Sequence, residues 1–331
     1  MKLFSVIAFT LPWLISCQVN EYEGIIHTVN GKIKAGDLGF SLTHEHVMSN
    51  FGAAPAYNPQ YDSLALFQQV VPYLKAIKSK GVFSIFDCTT AYFGRDVSML
   101  QELAKTTGLQ IITNTGFYGA ANDRYIPELA YRTDESAIAR LWIDEFKNGI
   151  DNSGIKPGFI KLAFDDGAPS DIDIKLFKAG ILTHLATGLT LAVHTGNNPA
   201  AAQTQLDLLR DNGVSPEAWV WVHANKVEDL NLLEETARAG AWISLDGVKA
   251  SNVDDYVDMI DNFKENNLLS RVLVSHDGNS FPRGGAIRQY EAIPDVLIPA
   301  LLKHGYSNVE IHQLMIKNPA EAFAVRVRRV Q

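Results

Sequence analysis

The stretch LGFSLTHEHV, residues 38–47, is the first of eight similar segments, and these segments decide the fold. Each segment is short, rich in Val, Ile, Phe, Trp or Thr, and apolar on both faces. That pattern is typical of parallel strands buried on both sides of a sheet. The eight predicted strands span residues 38–47, 81–90, 109–118, 157–165, 189–196, 218–225, 241–247 and 271–279.

Amphipathic segments with helical periodicity separate these strands. Clear examples span residues 64–80, 97–107, 136–148, 172–187 and 253–267. Strand and helix alternate eight times over about 280 residues, which predicts an α/β fold, a (β/α)8 TIM barrel. The main alternative is a doubly wound open sheet. Such a sheet usually carries a Gly-rich phosphate loop after its first strand, and no such loop follows residue 47.

The composition excludes several other classes of protein. The chain has 331 residues, 47% of them hydrophobic, which is too apolar for intrinsic disorder. It carries 37 acidic against 29 basic residues, and this acidic balance without a basic cluster argues against a nucleic-acid partner. Two cysteines are too few for a disulfide scaffold or a Cys-based zinc module. We expect a large globular body with no nucleic-acid function.

The first residues predict export. Met1-Lys2 precedes a short apolar stretch that ends in Leu14-Ile15-Ser16-Cys17, which is typical of a secretory signal. The tetrad resembles a bacterial lipobox, in which the cysteine becomes the lipidated first residue. We therefore expect a periplasmic or membrane-anchored bacterial lipoprotein that contacts the membrane only through a lipid on Cys17. An ordinary signal peptide with a chance cysteine is the alternative.

These observations divide the chain into three parts. Residues 1–17 form the predicted lipoprotein-type signal peptide. Residues 18–35 form a tether and a short N-terminal strand or hairpin extension. Residues 36–331 form the (β/α)8 domain, with no second linker or internal sequence repeat.

Polar residues lie at or near the C-terminal ends of several predicted strands. The C-terminal ends of barrel strands converge on the face where active sites are built. The candidates are His44 and His46 on strand one, Lys161 on strand four, His194 on strand five, His223 on strand six and Asp277 on strand eight. A single histidine is more often a core or loop residue. Several histidines on the same face of different strands indicate a functional site.

The His44-Glu45-His46 sequence indicates a pair of metal ligands. Side chains alternate along a strand, so both imidazoles point to one face and Glu45 points to the other. Two imidazoles held together are costly when protonated and are good ligands for a metal ion. We expect Glu45 to orient loops or backbone.

Lys161 and Asp277 are the two candidates besides the histidines, and their side chains are also suited to catalysis or metal binding. Lys161 lies in an apolar strand, where burial lowers the pKa of an amine and makes it nucleophilic. Three roles stay open for it: a salt-bridged structural lysine, a Schiff-base lysine, or a lysine carboxylated by CO2. The nearby histidines favour the carbamate, because an anionic bidentate group can bridge two cations. Asp277 can bind a metal and accept a proton.

Five segments together resemble the phosphotriesterase family of the amidohydrolase superfamily. They are HTVNGKIKAGDLGFSLTHEHV (27–47), GRDVSMLQELAKTTGLQIITNTGFY (94–118), NGIDNSGIKPGFIKLA (148–163), LAVHTG (191–196) and VLVSHDGNSF (272–281). The resemblance runs from about Gly24 to Phe323. It implies a binuclear hydrolase of ester bonds.

The resemblance also implies a role for each candidate. His44, His46 and Asp277 would bind the more buried ion, and His194 and His223 the more exposed one. Zn²⁺ is the usual metal of this family, with Mn²⁺, Co²⁺ or Fe²⁺ as alternatives. N6-carboxylated Lys161 and a hydroxide would bridge the two divalent ions.

The mechanism that the resemblance implies is hydrolytic. The bridging hydroxide would attack an ester, lactone or phosphotriester, and Asp277 would take the proton. Tyr118 matches a tyrosine that lactonases of the family place beside the metals. The predicted catalytic residues are therefore Asp277, Lys161 and Tyr118.

The substrate is where the sequence departs from the family pattern. Residues 246–249 carry neither the histidines of organophosphate-type members nor the arginine of several quorum-signal lactonases. We expect a small-molecule lactone or carboxylic ester, and a homodimer as the candidate assembly. Lys249, Arg283 and Arg288 lie in predicted mouth loops and could meet an anionic substrate. Two alternatives are an aldolase-like Schiff-base barrel using Lys161 and a non-catalytic, metal-containing binding lipoprotein.

Overall fold

The structure, a computed structural model, describes residues 24–57 and 59–330. Its strands follow the predicted order. They are β1 (Ile25–Thr28), β2 (Gly31–Lys34), β3 (Ser41–His46), β4 (Ser84–Asp87), β5 (Gln110–Ile112), β6 (Asn114–Thr115), β7 (Phe159–Ala163), β8 (Leu191–His194), β9 (Trp219–Val222), β10 (Trp242–Asp246), β11 (Val272–Ser275) and β12 (Gly278–Asn279).

The strands from β3 onward form a parallel barrel, which confirms the predicted α/β TIM-barrel fold. One run of neighbours is β12-β3-β4-β5 and the other is β6-β7-β8-β9-β10-β11. β5 and β6 are two halves of one barrel strand interrupted at Thr113, and β11 and β12 are halves of another interrupted at residues 276–277. The two runs therefore join into a closed ring of eight strands, and each contains part of one predicted segment.

Helices cover the outside of the barrel. They are α1 (Ser63–Ser79), α2 (Val97–Thr107), α3 (Glu128–Arg132), α4 (Glu135–Asn148), α5 (Asp171–Thr187), α6 (Pro199–Asp211), α7 (Leu230–Arg238), α8 (Val253–Glu265), α9 (Ile298–Lys303), α10 (Asn308–His312) and α11 (Asn318–Phe323), with π-helical turns at Ile293–Leu297 and Gln313–Lys317. Side chains cap α1, α2, α4 and α5 at their N-termini, as Asp62 does for α1. None of the helices in the described ranges is both long and apolar enough to span a membrane.

The predicted N-terminal extension is present as an antiparallel hairpin of β1 and β2. It is held at the end of the barrel opposite the mouth, where the N–H of Val325 donates to the carbonyl of Ile25 at 2.9 Å. Ile26 is fully buried in the cluster that includes Phe86 and Phe159. The predicted signal peptide and the first part of the tether lie outside the described residues.

Glu45 joins the first and last barrel strands. Its buried carboxylate accepts hydrogen bonds from the Ser275 hydroxyl at 2.8 Å and from the backbone N–H groups of His276 at 3.1 Å and Gly278 at 2.6 Å. It also contacts His276 Nδ1 at 2.7 Å. The Nε2 atom of His276 accepts from the N–H of Ile293, so Nδ1 carries the proton and donates to Glu45. Glu45 orients backbone, as predicted.

Replacing Glu45 should destabilise the barrel. The Glu45→Gln variant puts an amide N–H₂ group against donors, and a hydrogen bond to a charged group contributes about 1.5–3 kcal/mol. We expect the free energy of unfolding to fall by about 3 kcal/mol or more, measured by denaturant titration. The control is Glu102→Gln, which removes an exposed ion pair with Lys105 and should cost under about 1 kcal/mol. Equal effects of the two changes would refute the role of Glu45.

Candidate metal centre

Four imidazoles stand in a row at the carboxyl ends of β3, β8 and β9. Ring centroids are 5.7 Å apart between His46 and His44, 4.9 Å between His44 and His223, and 4.5 Å between His223 and His194. The structure therefore brings together the four histidines that the strand ends predict. His276 points away to Glu45 and does not belong to this row.

Asp277 closes one end of this row. Its Oδ1 atom lies 3.4 Å from Nε2 of His46 and 3.6 Å from Nε2 of His44. These three ligand atoms lie close enough together to bind one metal ion. Burial disfavours the charged form of Asp277, but the neighbouring imidazoles, His46 first, outweigh burial and hold its pKa well below the usual range. The carboxylate is therefore ionised and ready to bind a cation.

Thr89 fixes the proton of His46. The Thr89 hydroxyl donates to the carbonyl of Met48 at 2.8 Å, so its oxygen accepts from Nδ1 of His46 at 2.9 Å. The proton of the neutral ring then lies on Nδ1, and Nε2 presents its lone pair to the site. Burial lowers the pKa of His46, more than Asp277 raises it.

Asp246, at the end of β10, orients two of the histidines. Its Oδ2 atom lies 3.3 Å from Nδ1 of His44 and 3.5 Å from Nδ1 of His223, and it accepts the backbone N–H of His223 at 2.8 Å. Burial opposes ionisation of Asp246, but His44 and His223 outweigh it and hold its pKa at about 2. A carboxylate behind a histidine turns the other ring nitrogen toward a metal ion.

Two residues reach the site through unusual backbone geometry. His223 and Asp277 have φ values of 62° and 52°, in the left-handed region that side chains with a Cβ rarely adopt. His223 directly follows β9, and Asp277 lies in the two-residue interruption between β11 and β12. Such backbone strain is kept where the surrounding structure demands it, and functional sites are frequent examples.

Lys161 lies at the centre of β7 and is fully buried. Its Nζ atom makes no hydrogen bond to any described residue. Burial lowers the pKa of the amine, although Cys88, Asp246 and Asp277 oppose this shift. Because an unpaired buried ammonium is very costly, this environment favours the neutral, nucleophilic form of the amine. The structural, salt-bridged role is thereby disfavoured.

Burial also favours the neutral form of His223 and His194. It lowers the pKa of His223 to about 3, with His44 as the next cause, and lowers that of His194 well below its usual range. Neutral imidazoles, an ionised Asp277 and a neutral buried amine are the protonation states that divalent metal binding requires. The residues present therefore fit a pair of divalent cations.

Tyr118 lies beside the row of histidines. Its hydroxyl is 3.3 Å from Nδ1 of His194, and its ring stacks on Phe93 at 5.0 Å. Burial raises the pKa of Tyr118, so the phenol stays protonated and can act as a donor. Tyr118 therefore lies at the predicted position beside the candidate metal ligands. The catalytic role of Tyr118 stays a prediction.

Of the three predicted mouth-loop cations, only Arg288 reaches the candidate ligands. Its Nη2 atom lies 3.4 Å from Oδ1 of Asp277. Arg283 lies over the ring of Tyr61 instead, 5.6 Å from its centroid. Lys249 is exposed at the start of a short helical turn.

Sequence reasoning missed Asp246 and Thr89. Asp246 could have been found, because it follows the buried Ile243-Ser244-Leu245 run just as the histidines follow theirs. Thr89 had no such signal, since threonine is common in strands for its shape alone.

The barrel, with histidines, a buried lysine and an aspartate at its mouth, defines a metal-dependent hydrolase. The chain belongs to the phosphotriesterase family, whose model matches residues 24–323. The family is one of binuclear metal hydrolases, in agreement with the sequence-based resemblance.

Three similar proteins show how far the likeness extends. A phosphotriesterase homology protein of Mycobacterium tuberculosis (strain H37Rv) is 26% identical, covering 90% of this chain and 97% of that protein. An aryldialkylphosphatase of Saccharolobus solfataricus is 26% identical, with coverages of 88% and 97%. A solved structure comes from the engineering of organophosphate hydrolysis activity from a weak promiscuous lactonase template. It has a TM-score of 0.82 at 26% identity, covering 90% of this chain and 99% of that chain.

Asp246→Asn should weaken metal binding while leaving the barrel folded. The neutral amide lacks the negative charge by which Asp246 attracts Nδ1 of His44 and of His223, 3.3 and 3.5 Å away. Loss of such a partner typically costs about 10–100-fold in metal affinity. Zinc titration by calorimetry, with circular dichroism as the check on folding, measures this effect. Wild-type zinc affinity in the variant would contradict the orienting role of Asp246.

Proposed function

We propose that this protein hydrolyses lactones or carboxylic esters, with phosphotriesters as secondary substrates. The observation that carries the proposal is the convergence of His44, His46, His194, His223 and Asp277 with the neutral amine of Lys161. The ester-bond class is supported by family membership. The lactone preference is supported by Tyr118 beside His194 and by the lactonase origin of the similar structure.

The residues divide the work of such a reaction. When bound, two divalent cations would activate a shared water and polarise the oxygen of the scissile group. Asp277, ionised and in contact with His44 and His46, is placed to accept the proton of that water. Tyr118 is placed to donate a hydrogen bond to the substrate near His194.

We propose that Lys161 is carboxylated and that its carbamate would be a ligand shared by two divalent cations. A neutral buried amine suits either a carbamate or a Schiff base. The carbamate is favoured because the electrostatic neighbours of Lys161 include Asp246 and Asp277, and because Lys161 lies near enough to lower the pKa of His194 and His223. These neighbours are groups that hold metal ions.

A substrate panel on purified, zinc-loaded protein tests the function. Lactones, aryl esters and paraoxon are offered with and without a chelator. We expect the highest kcat/KM for a lactone or carboxylic ester and loss of activity on chelation. Turnover of none of these substrates with two metals bound would refute the proposal. Covalent trapping with borohydride and a carbonyl substrate would favour the aldolase-like alternative.

Lys161→Ala should lose metal and activity together. Without the bridging carboxylate the two cations lack a shared ligand, so metal content falls from two ions toward one or none. Short carboxylic acids such as acetate should restore part of both, because they can occupy the bridging position. Elemental analysis and ester turnover are measured on the same samples. A full complement of zinc in the variant would contradict the bridging role.

We also propose export and lipid attachment at Cys17, on the evidence of Leu14-Ile15-Ser16-Cys17. Labelling with a fatty-acid probe in a bacterial host should mark the wild type and leave Cys17→Ala unmarked. Equal labelling of the two would refute the anchor. A homodimer remains part of the proposal, and sedimentation of the mature chain tests it.

A further inference from the structure

We infer that Arg288 is a specificity residue that binds a carboxylate of the substrate close to the scissile bond. The inference rests on the proposed function, because it names the substrate class as an anionic lactone or ester. It assigns a role to a residue of the last mouth loop that the metal site itself does not require.

The backbone of Arg288 is tied firmly to the barrel. Its N–H donates to the carbonyl of Asn279 at 2.9 Å, and its carbonyl accepts from the N–H of Asn279 at 2.7 Å. Asn279 belongs to β12, where it pairs with His46 of β3. The position of Arg288 is thus set by the same strands that carry the candidate ligands, although it lies in a loop.

The side chain of Arg288 is also fixed in direction. Its Nε atom donates to the backbone carbonyl of Asp277 at 2.8 Å. Its guanidinium carbon lies 5.2 Å from the ring centroid of Phe51, a distance at which a cation is attracted to the ring face. Two independent contacts therefore aim the terminal nitrogens at the mouth.

The terminal nitrogens face the reaction centre. Nη2 lies 3.4 Å from Oδ1 of Asp277, the same oxygen that lies close to Nε2 of His46 and His44. A guanidinium has five N–H donors. Of these donors in Arg288, only Nε makes a hydrogen bond to a described residue. The remaining donors form a planar fork of the kind that binds a carboxylate through two hydrogen bonds.

Metal binding would increase the availability of this fork. Among the described residues, Asp277 is the carboxylate within ion-pair distance of Arg288, and both side chains are only partly buried. Solvent screens a pair of this kind, which limits its strength. When the carboxylate of Asp277 is engaged by a cation, its attraction for Arg288 falls. The side chain is 36% exposed, so an incoming anion can reach it. A substrate carboxylate within a few bonds of the scissile carbonyl would match the positive charge of Arg288 and its position beside Asp277.

The test compares two lactones that differ only in charge. Both are γ-butyrolactones substituted beside the ring oxygen, one with a carboxylate and one with a carboxamide. Arg288→Ala should lower the ratio of kcat/KM for the carboxylate over the carboxamide by about tenfold or more, since a charged hydrogen-bonded pair is lost. Arg288→Lys should restore part of the ratio, because it keeps the charge but not the fork.

The matched control is Arg283→Ala. Arg283 lies in the same loop and is exposed, but it contacts Tyr61 and Asn50 rather than Asp277. The ratio should stay at the wild-type value in this variant. A ratio that falls equally in both variants would show a general effect of loop charge and would overturn the assignment.

A binding measurement separates this inference from the proposed function. Glutarate, a dicarboxylate that cannot be hydrolysed, is titrated by calorimetry into zinc-loaded protein whose metal content is measured. Arg288→Ala should weaken glutarate binding by about tenfold or more with metal content retained. Unchanged binding, or a proportional loss of both lactone activities, would overturn the inference. If the wild type hydrolyses neither lactone, the proposed substrates are wrong, and glutarate binding alone decides the role of Arg288.

Discussion

The alternation of side chains along one strand governs the architecture of this protein. In His44-Glu45-His46 the two imidazoles point into the barrel mouth, and the carboxylate between them points away. There Glu45 collects the hydrogen bonds of Ser275, His276 and Gly278. The same three residues thus supply candidate metal ligands on one face and the closing contact of the barrel on the other.

The closing contact also determines where Asp277 lies. Two of the donors to Glu45 flank Asp277 in the chain, and the N–H of Asp277 itself donates to the carbonyl of His44 at 3.1 Å. With its neighbours fixed in this way, Asp277 adopts a left-handed backbone conformation and faces His44 and His46. The contact between the first and last strands therefore stabilises the left-handed backbone conformation of Asp277.

The fold and the positions of the six candidate site residues could be predicted because both depend on local patterns. Buried parallel strands give continuous apolar runs, and a polar residue that ends such a run reaches the mouth wherever it occurs. The interruptions at Thr113 and at residues 276–277 were not predictable, because they come from backbone conformation rather than from hydrophobic pattern. The contacts of the loop residues were equally unpredictable from the sequence. Lys249, Arg283 and Arg288 look alike in sequence, and only tertiary contacts place Arg288 at Asp277.

The contact between the first and last mouth loops explains why Arg288 is placed so well. Gly52 and Gly284 approach so closely that a Cβ on either would collide with the backbone of the other loop. The N–H of Gly284 donates to the carbonyl of Phe51 at 2.9 Å, and Phe51 in turn lies against Arg288. Backbone packing between two loops thus holds an aromatic ring and a cation beside the candidate metal ligands. Because such packing requires little side-chain ordering when a ligand arrives, this part of the mouth is preorganised for binding.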